Sequence, residues 1–245
     1  MRRAAEVFVL EEWTPHSPFA EKIWRAASQP EAHFISVAAA HWEIVVSRRR
    51  DWSVVTVRGP ETRATTVPIP QDAEFFGVQF RRGAFMPGLL PARLVDATLR
   101  LPEASSNAVW LHGAAWEVPS FDNLDAFVER LVRAGLLIRD PLVEAALRGE
   151  AVARSPRSVQ RRVLRATGLT QATIRQIERA EQAVMLLERG RSIVETVWRC
   201  GYADQAHLTR SLRRFAGQTP GRIGRAVPAG LTGQIARAAT ARPGV

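Results

Sequence analysis

Two groups of side chains have the types and spacing to recognise another molecule through paired hydrogen bonds. The first is Arg157, Gln160 and Arg161; the second is Gln205, Ala206, Thr209 and Arg210, followed by Arg213 and Arg214. Intervals of three and four residues bring side chains together on one side of a helix. A guanidinium fork matches the guanine edge of a base pair, and a carboxamide matches the adenine edge, so such a helix suits the major groove of duplex DNA. An ordinary amphipathic surface helix would account for the same polar face, and the surrounding elements have to decide between the two.

Those elements are well marked. Leu208, Leu212 and Phe215 make an apolar face opposite Gln205, Thr209 and Arg210. Asp204 can cap this helix by accepting its free first-turn N–H groups, and Gly217 with Pro220 supplies a stop. Gly201-Tyr202 before it gives a tight turn and a residue able to pack in a small core. Ser192 can cap a preceding helix carrying Ile193, Val197 and Trp198, so Ser192 to Phe215 reads as helix, turn, helix. The first group has the same layout: Ser155 as cap, Pro156 in the first turn, Val159 and Val163 facing inward, and Gly168 as stop. Between the two groups, Ile174, Ile177, Ala180, Val184 and Leu187 mark one face of a long helix.

Charge follows the same division. Residues 1–140 hold 16 basic and 17 acidic side chains, whereas residues 141–245 hold 18 arginines against 7 acidic residues. The net +10 of the 245-residue chain therefore resides in its C-terminal part, as expected of a protein that meets a polyanion. With 46% hydrophobic and 24% charged residues the composition is that of a globular protein, and no apolar run approaches the roughly 20 residues that span a bilayer. Met1-Arg2-Arg3 is basic like a signal peptide, but Glu6, Glu11 and Glu12 interrupt the apolar segment that a signal needs. A cytoplasmic protein is expected.

The N-terminal part carries another texture. Pro15, Pro18 and Pro30 predict an irregular opening over residues 1–30. Short runs then suit strands: His33 to Val37, Trp42 to Val46, Trp52 to Val57, Thr65 to Ile69 and Phe75 to Phe80, with Arg49-Arg50-Asp51 and Gly59-Pro60 as turns. Their spacing predicts a sandwich or barrel. Leu89 to Leu99 is mixed, and Leu124, Phe127, Val128, Leu131 and Val132 form a helical stripe that Gly135 ends. That stripe would pack on the β-rich part or on a second subunit, which makes a homodimer one expected state. Trp42, Trp52, Phe76 and Phe80 can line a small-molecule pocket or simply fill the core. His33, His41 and Glu43 lack a dependable third metal ligand and read as half-buried polar residues. No nucleophile motif and no phosphate-binding glycine loop is present, and the single Cys200 can form no internal disulfide. No catalytic residue, metal or cofactor is expected.

The segments Ser155-Pro156-Arg157-Ser158-Val159-Gln160-Arg161, Gly190 with Ser192-Ile193, Gly201-Tyr202-Ala203-Asp204-Gln205 and Leu208-Thr209-Arg210-Ser211-Leu212-Arg213-Arg214, with Gly217, Thr219 and Pro220, resemble the double helix-turn-helix domain of the AraC/XylS family of bacterial transcription regulators. The resemblance implies two recognition helices in successive major grooves of promoter DNA. Arg157, Gln160 and Arg161 would read one groove, and Gln205, Ala206, Thr209 and Arg210 the other. Arg213 and Arg214 would touch phosphates. It also implies RNA polymerase as a partner to recruit or hinder, and allows a small-molecule effector. The pattern departs where a full positioning helix is usual before the first recognition helix: only Leu142 to Arg154 is available, with Gly149 and Glu150 inside it. In the N-terminal part, Gly59-Pro60 and Phe76-Gly77-Val78-Gln79-Phe80 are similar to an uncharacterised subgroup.

The expected fold is α+β: a β-rich sensory or dimerisation domain with a C-terminal helix at 1–139, an all-α DNA-binding domain with two helix-turn-helix units joined by a long helix at 140–225, and a basic tail at 226–245. Two other functions fit parts of this pattern. One is a barrel enzyme with a DNA-targeting domain, although alkyl-repair relatives of the family use several cysteines. The other is a protein-interaction module whose helix-turn-helix no longer reads DNA.

Overall fold

The computed structural model describes residues 8–28, 33–68, 70–89 and 91–225. The N-terminal part holds strands β1 (Phe8–Trp13), β2 (Ala20–Ser28), β3 (His33–Ser36), β4 (Glu43–Arg48), β5 (Ser53–Arg58), β6 (Thr65–Pro68), β7 (Glu74–Phe80) and β8 (Ala84–Phe85). It continues with β9 (Thr98–Arg100), β10 (Glu103–Ser105), β11 (Ala108–Leu111), β12 (Ala114–Glu117), helix α1 (Leu124–Arg133) and β13 (Ile138–Arg139). Helices follow: α2 (Pro141–Leu147), α3 (Pro156–Thr167), α4 (Gln171–Glu188), α5 (Ile193–Arg199), α6 (Gln205–Phe215) and the single turn α7 (Pro220–Ile223). The fold is α+β, antiparallel sheets first and helices after.

The main sheet has the order β1-β2-β7-β4-β5-β9, antiparallel throughout. Alternation along each strand gives it two faces. On one face Ile23, Ile44, Val46, Val55, Val57, Phe76 and Val78 pack with Leu124, Phe127, Val128 and Leu131 of α1, and with Val109, Leu111 and Trp116 of the small β10-β11-β12 sheet. The other face carries Trp24, Val45, Ser47, Thr56, Arg58, Phe75 and Gln79, and these are buried too. Burial of both faces explains why β4 and β5 read as continuous runs of Ile and Val instead of a clean alternation. Glu43, Arg58 and Gln79 face one another across three strands by register. Arg58 also meets Glu61 at 3.5 Å, and Glu61 accepts a 2.7 Å hydrogen bond from the Ser36 hydroxyl.

Two expectations need correction. Residues 8–28 are not irregular: β1 pairs with β2 from Phe8↔Ser28 to Trp13↔Ile23. Pro15 and Pro18 fall in the connection between the strands, where no ladder N–H is required, so they bound the hairpin without breaking it. The mixed texture after Pro87 likewise conceals β9 and the small sheet, whose strands of three or four residues are too short to show a period. The basic tail at 226–245 lies outside the described residues, as does the side chain of His33.

Trp42, Phe76 and Phe80 lie in the first core. The Trp42 ring stacks on Phe80 with centroids 4.0 Å apart, and its indole N–H donates to the Ala84 carbonyl at 2.7 Å. Trp52 is half-buried at the foot of the β4–β5 hairpin, where its carbonyl accepts from the Arg49 N–H. The four aromatics therefore do not share one environment. Trp42→Ala is expected to cost about 3–5 kcal/mol, through lost packing and a stranded carbonyl. A denaturant titration of the full chain checks this, and a stability loss under about 1 kcal/mol would show that the ring is not a core element.

Candidate nucleic-acid interface

The second candidate helix is set up by its caps. The Asp204 carboxylate accepts from the His207 N–H at 2.6 Å, and Gly217 leaves the helix with a left-handed φ of 68°. Leu208, Leu212 and Phe215 are buried. Gln205, Ala206, Arg210, Arg213 and Arg214 are exposed, and Thr209 is half-exposed with its hydroxyl donating to the Gln205 carbonyl at 2.8 Å. Arg214 lies over the Phe215 ring at 4.9 Å. The first candidate helix repeats the plan. The Ser155 hydroxyl accepts from the Ser158 N–H at 3.3 Å, Val163 is fully buried, and Arg157, Gln160 and Arg161 are exposed together.

Ion pairing occupies some of the arginines. Arg162 meets Asp140 at 2.9 Å, while Arg191 and Arg199 both flank Glu195. Among the described residues, no carboxylate lies within ion-pair distance of Arg157, Arg161, Arg210, Arg213 or Arg214, so these guanidinium groups keep their hydrogen-bonding capacity for a partner. Arg161, Arg162 and Arg165 also rim a recess of about 350 Å³ with Phe85 and Asp140.

The turn between α5 and α6 is held from outside the motif. Arg179 of α4 donates to the Gly201 carbonyl at 3.5 Å and lies 4.6 Å over the Tyr202 ring. The Tyr202 hydroxyl hydrogen-bonds the Ser211 hydroxyl of α6 at 3.0 Å, and the ring meets His207 edge-on at 5.1 Å. Sequence gave no signal for Arg179, because its partners lie more than twenty residues away and on another helix. Ile193 and Val197 pack inward, but Trp198 is 80% exposed. The unit before α3 is short as expected: α2 has seven residues, and Gly149 sits at φ 77° in the connection that follows.

Residues 149–226 match the family model of a helix-turn-helix domain, and the matched type is that of the AraC/XylS regulators. The chain carries an AraC-type helix-turn-helix domain. Its activity is accordingly DNA-binding transcriptional regulation. Comparison with curated proteins and with solved structures gave no significant match. The matched segment begins after α2 and takes in α3 to α7, so it leaves the β-rich part unassigned. Among the described residues no group of three His, Cys, Asp or Glu side chains could hold a metal ion, and no helix is long and apolar enough to cross a membrane.

Cys200 closes α5 in this AraC-type domain and is 7% exposed. Burial pushes its thiol pKa up, against the opposing pull of the Arg179 charge, and burial likewise raises the Tyr202 phenol. The thiolate is the reactive species, so Cys200 is expected to alkylate slowly in the folded protein and readily in denaturant. Fast stoichiometric labelling of the native protein by iodoacetamide would contradict the packed turn.

Proposed function

We propose that the protein is a sequence-specific regulator in which α3 and α6 are two recognition helices that read successive major grooves on one side of promoter DNA. Arg157, Gln160 and Arg161 face bases in one groove. Gln205, Ala206, Thr209 and Arg210 face bases in the next, and Arg213 and Arg214 engage phosphates. The observation that carries this reading is that each arginine assigned to DNA is exposed on a capped helix with no carboxylate at ion-pair distance among the described residues. In this reading residues 140–225 are the DNA-binding part, residues 1–139 are the sensing or dimerising part, and RNA polymerase is the partner at the promoter. A small-molecule effector would act through the β-rich part.

Base contacts and phosphate contacts have different signatures. Arg210→Ala is expected to cost about 1–3 kcal/mol on the preferred site and to relax discrimination at one base position. Arg161→Ala should do the same at a second position, while Arg213→Ala should weaken all sequences alike. With roughly five to nine phosphates neutralised, the log–log salt slope of binding should be about −4 to −8. Selection of a randomised promoter library by each full-length variant, at fixed salt, reads the first three outcomes. A nearly flat salt slope, or an Arg210→Ala variant that keeps the parental preference, would reject the assignment.

A further inference from the structure

Both proposed recognition helices end against the β-rich part. The last carbonyls of a helix have no partner within it. In α6 two of them are taken by backbone N–H groups of the N-terminal part: Ala38 donates to Phe215 and Ala64 to Arg214, each at 2.7 Å. Beside them, a Cβ added to Gly217 would lie 2.9 Å from Ile35 Cγ2 and 3.1 Å from Ala64 Cβ. At the end of α3, a Cβ on Gly168 would lie 2.8 Å from the Pro91 carbonyl, in a short 3-10 turn spanning Pro91–Arg93. The other helix-ending glycines with positive φ, Gly135, Gly149, Gly190 and Gly201, have nothing within 4 Å of such a Cβ. Among the described residues, Gly168 and Gly217 are the helix-ending glycines with positive φ that abut the β-rich part.

The supporting strands are themselves held. Ala39 and Glu61 exchange backbone hydrogen bonds at 3.0 and 2.9 Å, immediately beside Ala38 and close to Ala64. The Glu61 side chain is fixed by Ser36 and Arg58. Ala38, Ala40 and Phe85 belong to the same core as Val163, Ile174, Leu208 and Phe215. Arg82, just past β7, pairs with Glu178 of α4 at 2.5 Å. The Pro91 turn is tied in as well, since the Leu94 N–H donates to the Pro91 carbonyl and the Asp96 N–H to the Pro60 carbonyl, so both helix ends meet hydrogen-bonded segments of the N-terminal part.

We infer that the β-rich part is a clamp that sets the spacing and angle of the two recognition helices, so that Ile35, Ala38, Ala64 and Pro91 determine which arrangement of two half-sites is bound without touching DNA. This rests on the assignment of α3 and α6 as the reading helices. A single helix such as α4 can bend or pivot at its ends, whereas two elements gripped at a second point keep one separation. The partner is duplex DNA carrying two half-sites about one helical turn apart.

The test uses the full chain with Gly168→Ala, Gly217→Ala and, as control, Gly190→Ala. All three force an L-residue into a left-handed φ (76°, 68° and 76°), so backbone strain is matched, but only the first two push a methyl into the β-rich part. Binding is selected from two libraries: one holds two fixed half-sites at varied separations, including a shift of about half a turn, or about 5 base pairs, and the other randomises the half-site bases at the preferred separation. The parent and Gly190→Ala should prefer one spacing. Gly168→Ala and Gly217→Ala should lose that preference about five- to a hundredfold, a range typical of coupled sites, while keeping base preference within each half-site. Ile35→Ala leaves every helix intact and should also broaden the spacing; combined with Gly217→Ala it should restore part of the preference by making room. If either glycine variant melts early, Ile35→Ala decides alone. Unchanged spacing in that variant, or glycine variants that match Gly190→Ala, would overturn the clamp. Arg210→Ala in the base-randomised library separates the two levels. A lost base preference with unchanged spacing in the clamp variants rejects the clamp alone, whereas an unchanged base preference rejects the reading helices themselves.

Discussion

The apolar face of α4 is the surface on which the whole helical part depends. Ile174, Ile177, Ala180, Ala183 and Leu187 recur near the helical period and are all buried, and α3, α5, α6 and α7 pack around that one helix. None of the short helices has enough apolar surface to be stable alone; seven-residue α5 is under two turns. Two alanines near the middle of the stripe leave room for neighbouring helices to approach, while Arg179, next to Ala180, reaches across to hold the turn into α6. One helix thus both buries the core of each unit and aligns the second. That economy has a consequence: any change in where α4 lies is transmitted to both AraC-type units together.

The β-rich part answers a different constraint. Its main sheet is covered on both faces, so polar side chains on the inner face must find compensation inside the protein. Glu43, Arg58, Gln79, Ser36 and Glu61 form a connected polar row at one end of the sheet, beside the strands that meet α6. Gly77 belongs to the same arrangement, because a Cβ there would lie 2.5 Å from the Ile44 carbonyl. The junction to the helices is also bonded across: β13 pairs with β8, the Asp140 N–H donates to the Gly83 carbonyl, and Arg139 forms a two-point ion pair with Glu144.

Electrostatics divides the labour among the arginines. Pairing with a neighbouring carboxylate neutralises a guanidinium and orients it for structure, as with Arg162 and Arg199. Those left without such a partner on an open helix face keep their charge and donors for a polyanion. Asp140 and Glu195 thus hold Arg162, Arg191 and Arg199 in structural pairs, while the arginines proposed to meet DNA stay uncompensated.

Much of the helical part was legible from residues alone because its signals are local. Capping by Ser155, Ser192 and Asp204, the stops at Gly168 and Gly217, and the stripes of α4 and α6 all act within a few residues, and each appears where its pattern places it. The strand runs β4, β5 and β7 were legible for the same reason. What the chain order hides is decided by pairing at a distance. The β1–β2 hairpin was masked by prolines that turn out to bound it, and β10 to β12 by strands too short to show a period. The environment of Trp42 depended on which face of a doubly covered sheet it joined. Gly168 and Gly217 show the division most clearly: sequence alone marks each as a left-handed stop, but only the tertiary structure brings Pro91 and Ile35 against them. Backbone conformation is a local property of a residue and its neighbours, whereas close approach requires segments more than seventy residues apart to meet.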